Sequence, residues 1–373
     1  MDEDFLKDRL DLRKKEGVYR SLTTNKGIDF CSNDYLGIVT NGLIRPDRIN
    51  QSAASLFGST GSRLISGNSR LFEDTEKQIS EFHQSEAALI FNSGYDANLG
   101  LISCIATRTD TIVYDKLSHA SIRDGIRLSP ARSFSFEHNS PDDLKSKLKQ
   151  ASGKVFVVTE SLFSMDGDLA PLNELATICN HHGAFLIVDE AHATGIIGAR
   201  GEGWVQQCQL ERSCFARVVT FGKALGCHGA AILGSRLLRD YLVNFSRSFI
   251  FTTAMPAINV SAIAEAYAVF PQLVEERQKL NALVRQFRDQ AGIISGTTIN
   301  TPIQAVMIPG NEKVRKIATA LQVTGLDTRP ILSPTVPPGT ERIRIVIHSF
   351  NTAEQITMLA EELSKLLRLS VNP

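Results

Sequence analysis

The stretch AFLIVDEAHATG, residues 184–195, decides the class of fold. Five apolar residues in a row, without polar alternation, are the signature of a strand buried on both faces, as in a mostly parallel sheet covered by helices. The run stops at Asp189, and polar residues follow at once. Upstream, Pro171–His182 reads as an amphipathic helix that opens on proline and closes at Gly183. Further out lie similar short apolar runs at Ala87–Phe91, Thr111–Tyr114, Val155–Thr159, Arg217–Phe221 and Ala230–Leu233, separated by helix-like segments. Strands alternating with helices predict an α/β domain.

The flanks read differently. Residues 5–15 predict a short charged helix, and Pro256–Gln290 a single long amphipathic helix leading out of the α/β region. Beyond it, Thr301–Ile308 and Arg342–Ile347 are strand-like, and Ala353–Leu369 helical, which predicts a smaller α+β unit. We therefore expect an N-terminal segment at 1–40, a large domain at 41–275 and a small domain at 276–373.

Composition removes several functions. Forty Lys plus Arg balance forty Asp plus Glu, so the basic excess that drives binding to phosphate backbones is missing, and a nucleic-acid partner is not expected. The charged start, MDEDFLKDRLDLRKK, does not read as a secretory leader. No run approaches the ~18 apolar residues that span a bilayer. Six scattered cysteines without a C-x-x-C pair read as free thiols of a reducing, cytoplasmic compartment and give no metal site.

Ligands of open α/β sheets sit outside the carboxyl ends of the strands. Asp189 ends one apolar run, Lys223 comes two residues after RVVTF, Ser164 follows VFVVTESLF, and His119 follows TIVYDKL. Each has a bland reading by itself: a surface lysine in a glycine turn, a helix-capping aspartate, a satisfied core histidine. Four such groups delivered to one edge by separate strands read as a site. A partly desolvated lysine amine is nucleophilic near neutral pH. A carboxylate at a buried strand end needs a cation or donor, and a protonated pyridine nitrogen would serve. His192 stands three residues beyond Asp189 and comes near it if the chain turns. The glycine-containing segments 57–68 and 92–98 suggest exposed backbone amides, and a helix starting near Gly94 would offer its N-terminus to a phosphate. The letters DEAH also occur in helicases, but neither G-K pair (153–154, 222–223) belongs to the G-x-x-x-x-G-K-[ST] loop such enzymes need.

The ordered motifs SNDYLG (32–37), GSTGSRLISGN (58–68), NSGYDANLG (92–100), DKLSHASIRDG (115–125), ESLFSMDGDLAPL (160–172), VDEAHATGIIGARGEG (188–203), TFGKALG (220–226) and PTVPPGTERIRI (334–345) resemble the α-oxoamine synthases. These are a branch of the fold-type-I pyridoxal-phosphate enzymes. The resemblance implies a seven-stranded, mostly parallel large domain and a small C-terminal domain. It implies that Lys223 carries pyridoxal 5'-phosphate as a Schiff base and removes a Cα proton. Asp189 would meet the pyridine nitrogen, His192 and Ser164 the ring oxygen, and His119 the ring face. Gly94, Tyr95 and Thr220 would take the phosphate, with Thr252 or Thr253 from a second subunit of a homodimer. Arg344 would hold the amino-acid carboxylate and Asn33 would line the substrate site. The implied reaction is a decarboxylating condensation of an amino acid with an acyl thioester of coenzyme A or acyl carrier protein. FSMDGDLAPL and SPTVPPGTERIRI look most like the branch that joins alanine to a pimeloyl thioester for biotin. The aminolevulinate, aminoketobutyrate and serine-palmitoyl branches are the alternatives.

Overall fold

The computed structural model describes residues 3–24, 27–45, 57–291 and 300–369. It has two compact units: residues 36–164 with 169–277, and residues 1–35 with 165–168 and 278–373. The segment before residue 36 thus groups with the C-terminal residues rather than standing alone.

Among the described residues twelve strands run, in chain order, as β1 Ile28–Asp29, β2 Ala87–Phe91, β3 Thr111–Asp115, β4 Arg132–Phe136, β5 Val155–Glu160, β6 Phe185–Asp189, β7 Cys214–Thr220, β8 Ala230–Gly234, β9 Ile303–Met307, β10 Leu326–Asp327, β11 Arg329–Ile331 and β12 Arg342–Val346. The larger unit holds a seven-stranded sheet in the order β2-β8-β7-β6-β5-β3-β4. β7, β6, β5, β3 and β4 are parallel, and β8 runs antiparallel to both β7 and β2. All six apolar runs form strands. The seventh, β4, has no such run because its sequence RSFSF is mostly exposed and buries only Phe136 fully, whereas β2 at the opposite edge is buried throughout.

Burial on both faces explains the unbroken apolar runs. Phe156, Val158 and Ile187 pack with Leu101, Ile102, Ile122 and Leu242 in one core. Val157, Leu186 and Val188, one residue out of phase, pack with Leu144, Leu172, Leu175 and Cys179 in the other. Successive side chains point to opposite faces, so each run feeds two cores at once. Burying each such side chain contributes on the order of 1.5–3 kcal/mol. The helix read from Pro171 runs Leu172–His182 and ends on Gly183 at φ +63°, a left-handed cap that glycine adopts without a side-chain clash.

The expected single helix over Pro256–Gln290 is a correction. The chain forms Ala257–Val269, a 3-10 turn at Phe270–Gln272, and a second helix at Val274–Ala291. Pro271 lacks the N–H that would continue the first helix. The carbonyls freed at the break are met by Arg277, which donates to Phe270 O at 2.8 Å and Pro271 O at 2.9 Å.

In the smaller unit β1 pairs with β10, and β11-β12-β9 form an antiparallel sheet. Among the described residues no single helix is long and apolar enough to cross a membrane.

Two helices of the larger unit approach each other closely. Helix Ala120–Leu128 crosses helix Gly94–Ile105 at Gly125, where an added Cβ would stand 2.9 Å from Ile102 Cβ and 3.2 Å from Asn98 O. Glycine inside a helix ordinarily gives way to alanine with a gain of up to about 1 kcal/mol. Here the gain should reverse, and Gly125→Ala should lose about 1–3 kcal/mol in urea denaturation, the cost of an overpacked core. A raised denaturation midpoint would mean that the two helices part freely.

Candidate active site

Four adjacent parallel strands end in polar residues: β3 in Asp115, β5 in Glu160, β6 in Asp189 and β7 in Thr220. Parallel strands put all four on one edge of the sheet. Glu160 and Asp189 are direct register partners, which brings two carboxyls side by side. They are 3% and 6% exposed, so water screens neither.

Asp189 is held from two directions. Its Oδ1 accepts the Ala191 N–H at 2.8 Å, and its Oδ2 accepts Asn98 Nδ2 at 2.7 Å. At Glu160, burial first, and then the charge of Asp189, push the carboxyl up to about 8, against the downward pull of Lys223 and of the His119 N–H. That N–H donates to Glu160 Oε1 at 2.7 Å.

His119 is the N-cap of helix Ala120–Leu128, and its Nδ1 accepts the Ser121 N–H at 3.2 Å. Burial lowers its proton affinity; Asp189 raises it and Lys223 lowers it again. The electrostatic reach of Lys223 to both Glu160 and His119 gathers Lys223, Asp189, His119 and Glu160 into one cluster. Lys223 itself is half-buried in the turn after β7, which is closed by Phe221 N–H to Gly229 O at 2.9 Å and Cys227 N–H to Phe221 O at 2.7 Å.

The helix read near Gly94 begins at Gly94, with Ser93 as its N-cap accepting the Asp96 N–H at 3.0 Å. A Cβ on Gly94 would lie 3.6 Å from Thr220 Oγ1, so the last residue of β7 faces this helix start. Tyr95 is 42% exposed, donates its hydroxyl to Asp124, and sets its ring edge-on to His119 at 6.4 Å. Asn92 donates to Thr252 Oγ1 at 3.2 Å and Thr253 O at 2.9 Å, so both threonines lie beside their own chain's Gly94 turn. His192 is buried in the turn that leaves Asp189, and Ser164 is half-buried just past β5. In the smaller unit Arg344 donates to Asn33 Oδ1 at 2.9 Å, and Tyr35 donates to the same oxygen at 3.2 Å.

The larger unit suits pyridoxal phosphate by the chemistry of its donors. A helix N-terminus and the Thr220 hydroxyl suit an anion. A charged, nearly buried carboxylate suits a pyridinium, and a half-buried lysine suits an aldehyde. Three residues of this cluster, Glu160, Asn98 and Ser121, are not singled out by the sequence patterns above. Glu160 ends the run VFVVTE just as Asp189 ends AFLIVD, and that parallel is a signal of its place. Asn98 is 2% exposed on a helix otherwise buried through apolar residues, which also marks it.

The raised Glu160 has a stability consequence. Unfolded, a glutamate ionises near 4.5; folded, this one does so near 8. Between those values the folded chain holds a proton that the unfolded chain has released, so raising the pH favours unfolding. The apoprotein should therefore lose stability through Glu160 from pH 5 to 8, and Glu160→Gln should recover about 1 kcal/mol or more at pH 8 relative to pH 5. Parallel stability curves for the two proteins would contradict this.

The description "Aminotransferase class I and II" matches residues 25–363. The 8-amino-7-oxononanoate synthase of Emericella nidulans is 39% identical, with 98% of this chain and 96% of that protein covered. The enzyme of the same name from Alkalilimnicola ehrlichii is 37% identical, with 97% of each covered. Among solved structures, serine palmitoyltransferase from S. paucimobilis with a bound PLP–myriocin aldimine superposes with TM-score 0.89 at 27% identity, covering 98% of this chain and 97% of that one. The 8-amino-7-oxononanoate synthase from Francisella tularensis gives 0.79 at 26% identity, covering 92% and 99%. The chain belongs to the aminotransferase class I and II family of pyridoxal-phosphate-dependent enzymes, within its α-oxoamine synthase branch.

Proposed function

We propose that the protein condenses L-alanine with a pimeloyl thioester, carried by coenzyme A or acyl carrier protein, and releases carbon dioxide to give 8-amino-7-oxononanoate for biotin synthesis. The observation that carries the reading is the cluster of Lys223, Asp189 and His119 in a chain matched nearly end to end by enzymes of that name. A further reading, serine palmitoyltransferase chemistry, draws on the structural likeness, but at 27% identity against 39% it stands second.

Bound here, pyridoxal phosphate supplies a ring that spreads the negative charge left on the amino acid's Cα when a bond to it breaks. The chain does the rest. Lys223 Nζ would hold the cofactor covalently and, once displaced by the amino acid, take the Cα proton. Asp189, charged and fixed by Asn98 and the Ala191 N–H, would keep the pyridine nitrogen protonated. His119 would cover the ring face, and His192 and Ser164 would meet the ring oxygen. The Gly94–Tyr95 amides and Thr220 would hold the phosphate, with Thr252 or Thr253 of a partner copy in a homodimer. The Arg344 guanidinium would grip the amino-acid carboxylate in a bidentate fork, with Asn33 beside it. We place this work in the cytoplasm, with no nucleic acid or membrane as partner.

Lys223→Ala should lower turnover at least 10²–10⁴-fold, the usual contribution of a positioned base. It should also remove the borohydride-sensitive visible absorption band while leaving the melting temperature nearly unchanged. Turnover near the parent rate would sink the mechanism. Arg344→Lys should raise KM for alanine about 10-fold or more and leave KM for the pimeloyl thioester within about 2-fold, since a point charge replaces the fork. Equal effects on both substrates would remove Arg344 from the carboxylate role. Product formation from serine or glycine in preference to alanine would move the enzyme to another branch.

A further inference from the structure

A chain of hydrogen bonds joins the two groups that would flank the cofactor. Asn98 Nδ2 donates to Asp189 Oδ2 at 2.7 Å and to Ser121 Oγ at 3.0 Å. Ser121 Oγ lies 2.8 Å from His119 Nδ1, which also accepts the Ser121 N–H. The His119 N–H returns to Glu160 Oε1, and Glu160 is the strand partner of Asp189. Asn98, Ser121, Asp189 and Glu160 are all nearly buried.

The directions along this chain start from the backbone donor. A backbone N–H can only donate, so His119 Nδ1 carries no proton. The Asn98 amide nitrogen can only donate, so it supplies a hydrogen to Ser121 Oγ, and with Nδ1 bare the hydroxyl's own hydrogen is directed there. We propose that Asn98 and Ser121 are positioning residues that fix His119 as the neutral tautomer protonated at Nε2 and tie its orientation to the carboxylate of Asp189. Protonating Nδ1 would break the bond from the Ser121 N–H and reverse the one from the hydroxyl. The burial that lowers the proton affinity of His119 acts in the same sense.

This deepens the reading of the site as a pyridoxal-phosphate centre, and two readouts separate it from that reading. The first is the imidazole ¹⁵N NMR spectrum, taken on apoprotein and holoenzyme and assigned by loss of the signal in His119→Gln. It should give a bare nitrogen at Nδ1 and a protonated Nε2, with Ser121→Ala, which keeps only the longer 3.2 Å bond from the backbone N–H and loses the 2.8 Å one, admitting the other tautomer, and Ser121→Thr restoring the parent pattern. The second is the dissociation constant for pyridoxal phosphate, which should rise about 10-fold or more in Asn98→Ala, the loss expected for a hydrogen bond to a charged group. A proton at Nδ1 in the parent protein, or an unchanged tautomer in Ser121→Ala with unchanged cofactor affinity in Asn98→Ala, would overturn the proposal. Should Asn98→Ala fail to fold, the two Ser121 variants decide the tautomer alone. A parent protein that binds no pyridoxal phosphate would defeat the cofactor reading, while the apoprotein spectrum would still decide the tautomer.

Discussion

A buried negative charge at the end of a strand is costly unless donors and cations surround it, and Asp189 is such a charge. Much of the larger unit's local architecture can be read as the answer to that constraint. The turn beyond β6 bends back so that the Ala191 N–H reaches the carboxylate. Helix Gly94–Ile105 gives a core position to Asn98 rather than to another apolar residue. The neighbouring Glu160 holds its proton more tightly, because burial disfavours its charge and the carboxylate of Asp189 adds to that. What is gained is an anion fixed in place, ready for a cationic ring.

The sheet edge could be read because its grammar is local. A run of apolar residues stopping at an acid, a lysine or a threonine needs no knowledge of what packs against it, and Asp189, Lys223 and Thr220 each stand at such a stop. The helix caps at Pro171 and Gly183 are equally local. Arg344 and Asn33, which the structure joins by a hydrogen bond, lie far apart in the chain and are legible through motif likeness rather than from periodicity.

Other features depend on relations between segments. β4 lacks an apolar run because a strand with mostly exposed side chains has little need of one. Asn98 and Ser121 meet only because two helices cross closely at Gly125, and no spacing rule within either helix announces that crossing. Pro271 does announce the helix break, but the amphipathic pattern on either side outweighs it. In each case pattern is present on a single segment while the deciding interaction belongs to a pair.

The pairing of Ile28 with Leu326 and of Asp29 with Asp327 has a bearing on how the chain is made. On a ribosome the residues of the seven-stranded sheet emerge with all their sheet partners before β9 to β12 are translated, so that sheet can form early. Strand β1 must wait, because its partner β10 is translated only after that whole sheet. Until Leu326 and Asp327 emerge, Ile28 and Asp29 lack the strand partner that they hold in the folded chain.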